Sequence, residues 1–188
     1  MIAKKLARGL LKITGWEMVG DAPAVDKAVL IIAPHTSNWD GLWVLAYKIA
    51  MGIEARFFAK HTLFWWPLGN ILRHMGAIPV NREKSGDLVQ YAIESFNTHD
   101  RFLLGLAPEG TRKWMPYWRT GFYRIAMEVG VPIVLGFIDY QEKRIGIGAT
   151  FVPSGILEQD LDLVRKFYAA FTPRHAKNLS PIEFPPAS

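Results

Sequence analysis

A chain of 188 residues, half hydrophobic and one-fifth charged, is long enough to bury a single core and too apolar to be disordered. Its net charge of +5 and pI near 9.5 favour anionic partners such as lipid headgroups, nucleic acid, an acidic carrier protein or phosphorylated compounds. The lack of cysteine excludes disulfides, thiolate metal sites and a cysteine nucleophile.

In chain order, residues 2–13 read as an amphipathic helix. Its apolar side carries Leu6, Leu10 and Ile13, and its basic side carries Lys4, Lys5, Arg8 and Lys12. Such a helix suits an anionic lipid interface, and it equally suits docking on the domain's own core. Residues 1–20 have scattered charges and no small-residue cleavage site, so a secretory signal is not expected. Nor does any run of eighteen uncharged apolar residues occur, since Lys48 interrupts the stretch 42–53.

From residue 28 onwards, short β-branched runs alternate with helical patterns. Strands are expected at 28–33, 55–59, 77–80, 102–107, 131–138 and 144–152. Helices are expected at 38–51, 87–98, 122–129 and 161–171, with an aromatic segment at 62–75 and a loose proline-rich tail at 180–188. This alternation argues for a single α/β domain with a mostly parallel central sheet flanked by helices. The divisions are an N-terminal helix segment at 1–20, a main domain at 21–179 and the tail.

In such a fold, chemistry gathers at the carboxyl ends of strands. Two motifs begin where an expected strand stops. The first, His35-Thr-Ser-Asn-Trp-Asp40, offers a base and a carboxylate to orient it. Ser37-x-x-Asp40 equally matches a capping box, in which Asp40 merely closes the helix start. Ser37 lacks the surroundings of a nucleophile elbow.

The second motif, Glu109-Gly-Thr-Arg112, follows Pro108. Here Gly110 permits close backbone approach, Thr111 offers a hydroxyl and Arg112 offers a planar fork for phosphate. Glu109 pairs with a cation or a backbone donor and shapes the loop. The alternative is an ordinary charged turn. Lys60, Arg82 and Arg119 stand where they could join the same anionic pocket. The aromatic clusters at 64–67 and 114–118 could line the way in for an acyl chain. His61, His74, His99 and His175 have no metal-ligand spacing.

With these residues in view, the stretch from 28 to 139 resembles the glycerophospholipid acyltransferases, the family of the bacterial 1-acylglycerol-3-phosphate acyltransferases. Four motifs carry the resemblance, in the family's order: His35 to Asp40, Gly76-Ala-Ile-Pro-Val-Asn-Arg82, Pro108 to Arg112, and Val131-Pro-Ile-Val-Leu135. The chain departs from the pattern at Asn81, where Asp is commoner, and at Leu135, which replaces a proline. Little sequence precedes the first motif, so a long membrane-embedded N-terminal region is not expected.

The resemblance implies His35 as general base and Asp40 as its orienting partner. It implies Lys60, Arg82 and Arg112 as acceptor-binding cations, with Glu109, Gly110 and Thr111 in the phosphate loop. Donors near Gly110 would stabilise an oxyanion. The implied reaction moves a fatty acyl group from acyl-CoA or acyl-carrier protein to a lysophospholipid hydroxyl, without metal or cofactor. The expected location is cytoplasmic, peripheral on the inner face of the cell membrane. Two alternatives stand beside it: a thioesterase or lysophospholipase using the same dyad with water, and a basic membrane-binding module without activity. Neither a helix-turn-helix nor an RNA-binding strand signature points to nucleic acid.

Overall fold

The computed structural model describes residues 2–80 and 85–186, with side chains for 2–80 and 88–186. Arg82 lies outside the described residues. A seven-stranded sheet runs in the order β1-β7-β6-β2-β5-β3-β4. Its strands are β1 (Glu17–Val19), β2 (Lys27–Ala33), β3 (Ala55–Lys60), β4 (Ala77–Val80), β5 (Phe102–Leu106), β6 (Ile133–Asp139) and β7 (Arg144–Phe151). Strands β6, β2, β5, β3 and β4 are parallel, and β7 returns antiparallel to β6 with β1 beside it.

Six α-helices among the described residues cover the sheet: α1 (Ile2–Ile13), α2 (Asn38–Met51), α3 (Leu68–His74), α4 (Ser85–Thr98), α5 (Gly121–Val129) and α6 (Leu157–Tyr168). The expected single α/β domain with a mostly parallel sheet is the fold observed.

Strand β2 explains the layering. Side chains alternate across a strand. Val29, Ile31 and Ala33 therefore enter a core with α4, α5 and α6, while Ala28 and Leu30 enter the opposite core with α1 and α2. With both faces covered, β2 and β6 read as unbroken apolar runs.

Several details differ from expectation. Within the segment 1–20 an unexpected strand, β1, joins the sheet beyond β7. Three residues are too few to show alternation, so β1 is silent in the sequence. Gly146 makes the pairing possible, since a Cβ there would meet the Val19 carbonyl oxygen at 2.2 Å. Helix α6 begins four residues earlier than expected and ends three earlier. Within its first turn the buried Asp160 accepts from Ser154 and Tyr123, which anchors that start.

The tail at 180–188 is not loose over its described part. Trp118 N–H donates to the Glu183 carbonyl at 2.8 Å, Arg165 donates to Ile182 at 2.9 Å, and Phe184 packs edge-on against Phe122. Prolines block ladder formation there but do not prevent docking through side chains.

Candidate active site

Strands β6, β2 and β5 lie side by side and point the same way, so their carboxyl ends form one edge. His35 follows β2, Glu109 follows β5 and Tyr140 follows β6. The sheet thus collects three stretches of chain that are far apart in sequence.

His35 Nδ1 lies 3.3 Å from Asp40 Oδ2. That is slightly longer than a fully formed N–H···O bond. The imidazole is one-fifth exposed and lines a cavity of about 1520 Å³. Asp40 is fully buried. Its Oδ2 accepts from the Thr36 and Ser37 amides, both at 2.7 Å, and its Oδ1 accepts from the Tyr140 hydroxyl at 2.6 Å.

Burial alone would push the Asp40 carboxyl up. Bonds from His35, Tyr140 and the Ser37 amide outweigh it, and hold the group below the ordinary carboxylate value. Asp40 is therefore an anion beside the imidazole. It also closes a capping box on α2, with the Ser37 side chain accepting from the first turn. The cap and the approach to the imidazole coexist in the structure. A single carboxylate ends the helix and faces the histidine.

Glu109 shapes the loop through a backbone donor, one of the two expected partners. Its Oε1 accepts the His35 N–H at 2.8 Å, fixing the main chain beneath the imidazole. Its Oε2 is buried without a partner among the described residues. Burial accordingly raises the carboxyl above its ordinary value.

At Gly110 the backbone is left-handed, with φ of 68°, and a Cβ would press on the Arg119 side chain at 3.0 Å. The Gly110 N–H itself is spent on the Ala107 carbonyl, so that amide is not a free oxyanion donor. The Thr111 hydroxyl accepts from the Lys113 amide at 3.3 Å.

Arg112 is exposed at the rim and donates to the Asn38 side chain. Asn38 opens α2, three residues beyond His35. The imidazole and this guanidinium therefore line one cavity despite their separation in sequence. Lys113, Arg119, Arg124 and Arg174 add positive charge to its walls. Lys60 is exposed at the end of β3 and is not among the described lining residues.

The aromatic clusters sit elsewhere than expected. Trp65, Trp66 and Trp114 are exposed and do not line the cavity, whereas Trp118 is buried in the core. Apolar walls come instead from Leu30, Ile32, Val44, Ile53 and Phe57, between α2 and the sheet.

Sequence reasoning missed Asn38, Tyr140 and Arg174. The last is set between the Trp39 and Tyr140 rings, 5.5 and 5.6 Å from their centroids. The only signal for Tyr140 was its position just past a buried strand.

Comparison with known proteins fits this arrangement. No match is found among curated protein sequences. In fold the chain is similar to PlsC, the 1-acyl-sn-glycerophosphate (LPA) acyltransferase of Thermotoga maritima, with a TM-score of 0.60 and 18% identity. That likeness covers 91% of this chain and 80% of the other, and at such identity it speaks for the fold. A family model described as Acyltransferase matches residues 11–135. This span takes in His35, Asp40, Glu109 and Arg112 together with β2 and β5, which hold them, and it makes the chain a member of the acyltransferase family.

Proposed function

We propose that this acyltransferase moves a fatty acyl group from a thioester donor, acyl-CoA or acyl-carrier protein, to the hydroxyl of a lysophospholipid such as 1-acylglycerol-3-phosphate. The observation that carries the reading is His35. One ring nitrogen faces a buried anion, and the ring opens on a large cavity with Arg112 at its rim.

The chemistry follows from these groups. The acceptor hydroxyl bonds to the free nitrogen of His35, which takes its proton as the oxygen attacks the thioester carbonyl. Asp40 stabilises the imidazolium. The tetrahedral intermediate collapses, the carbon–sulfur bond breaks, and the imidazolium returns its proton to the departing sulfur. The products are an ester and a free thiol. Arg112 binds the acceptor phosphate, with Lys60 and Arg82 as further acceptor-binding cations, and no metal or cofactor enters the scheme. The apolar walls beneath α2 suit a fatty chain.

The reading places the enzyme on the inner face of the cell membrane. No helix of the described residues is long and apolar enough to cross a membrane. Helix α1 docks on α2 through Ala7 and Leu11, yet it leaves Ile2, Leu6, Leu10 and Ile13 exposed. These lie near Lys4, Lys5 and Lys12, a combination that favours an anionic lipid surface.

The test is an acyl-transfer assay with both donors against a panel of lysolipids, the product being identified by mass. Transfer to a phosphate-bearing lysolipid, with Arg112→Ala raising the KM for that acceptor more than for the donor, is the expected result. Thioester cleavage that lysolipids do not accelerate would instead mark a thioesterase and overturn the reading.

A further inference from the structure

We infer that Tyr140 is a positioning residue for the acyl-transfer step, acting through Asp40 on the basicity and orientation of the His35 ring. The inference rests on the function proposed above. It assigns the dyad a third member, supplied by β6.

The carboxylate of Asp40 is divided between two tasks. Oδ2 takes the Thr36 and Ser37 amides and faces the imidazole, and among the described residues Oδ1 takes only the Tyr140 hydroxyl. At 2.6 Å the phenol bond is short, as a charge-assisted O–H···O bond should be. Without it a buried oxygen of an anion would have no donor among the described residues.

Tyr140 is itself held from several sides. Its N–H donates to the Thr172 carbonyl at 2.9 Å, its ring meets Trp16 edge-on at 5.1 Å, and the Arg174 guanidinium lies over its face. Because the preceding residues are the fully buried strand β6, the phenol cannot follow a moving side chain. Asp40 is thereby pinned at both oxygens, and the imidazole faces a carboxylate of fixed direction.

The bond also sets how strongly Asp40 attracts a proton. A phenol donor withdraws charge from the carboxylate, so the imidazolium is stabilised less than it would be by an undivided anion. Burial and the neighbouring anion push the Tyr140 hydroxyl well above its ordinary range, so it stays a donor at any working pH. Other ionisable groups packed about the trio are Glu109 beyond β5 and Arg174 beyond α6. Asp139, next to Tyr140, is engaged with Arg144 at 3.2 Å.

The substitution Tyr140→Phe keeps the ring on Trp16 and removes one hydrogen bond. The His35 ring, followed by NMR in the full-length protein, is then expected to titrate at higher pH than in wild type. The acidic limb of the kcat/KM profile should move with it, and kcat should fall while donor and acceptor KM stay put. Site-specific incorporation of 3-fluorotyrosine at position 140, a stronger donor of nearly the same shape, should move both readouts the other way.

An unmoved His35 titration in both variants overturns the inference. So does a titration that moves while the kinetic limb does not. Should the Phe variant fail to fold, the fluorinated variant decides alone. A wild-type protein that transfers no acyl group would sink the proposed function, and the His35 titration would still show whether the phenol governs the ring.

Discussion

His35 is held by its main chain as much as by its side chain. Its N–H is fixed on Glu109 whatever stands at the side-chain position, and the ring is partly in solvent. Truncation to alanine therefore removes the proposed base while leaving the loop in place. We expect His35→Ala to lose about 10²–10⁴-fold in turnover, with a thermal unfolding midpoint close to wild type in calorimetry. Near-normal acyl transfer by this variant would refute the assignment. At this scale the sequence was most legible where base and carboxylate stand five residues apart. It was illegible where the partner comes from afar: Tyr140 is a hundred residues from Asp40, and only the pairing of β2 with β6 brings them together.

Among the elements, the start of α2 matters most, because its cap and the dyad share Asp40. The two roles separate by substitution. Ser37→Ala removes only the hydroxyl that accepts from Trp39, and should cost about 1 kcal/mol of stability with turnover little changed. Asp40→Asn should depress turnover severely. The pH dependence of this variant has a definite sign. Asp40 is held below its ordinary value of 3.8, so its contribution to stability is complete above that pH and is lost as pH falls through the lower folded-state value. Acid unfolding followed by circular dichroism should show wild type losing stability there, while Asp40→Asn lacks that component.

Among the described residues, periodicity located every helix but α3 and every strand but β1 to within a few residues, because these elements have continuous apolar faces, whereas the segment that holds α3 reads only as aromatic. It failed at β1, which is held by Trp16 in the core and by the Glu17 amide on the Lys143 carbonyl, not by its own pattern. It placed α6 late, because a buried Asp160 bonded to Ser154 and Tyr123 reads on paper as a surface charge.

Across the whole molecule, the sequence left two outcomes open for α1, docked helix or lipid-facing helix, and the structure is compatible with both. Leu11 is fully buried, while Ile13 is 87% and Ile2 is 76% exposed. Hydropathy alone cannot divide an apolar face between a neighbouring helix and a lipid surface, because both select the same residues. Leu6→Asp and Ile13→Asp should each leave thermal unfolding unchanged while weakening sedimentation with phosphatidylglycerol vesicles. Binding of wild type should fall with added salt and on phosphatidylcholine. Equal sedimentation of all three proteins would exclude α1 as the contact.

The molecule also explains why the tail was misread. Its anchor, Phe184, is one aromatic residue among prolines, and nothing in its neighbours marks the pocket that receives it.

The parallel alignment of β6, β2 and β5 has one more consequence. Parallel neighbours need long crossovers, so the three stretches that meet at the imidazole converge only after most of the chain has been made. The proposed acyl-transfer site is therefore a property of the finished architecture. A nascent or half-assembled polypeptide, lacking the Tyr140 phenol and the Arg174 guanidinium, would not yet hold the Asp40 carboxylate in its final direction.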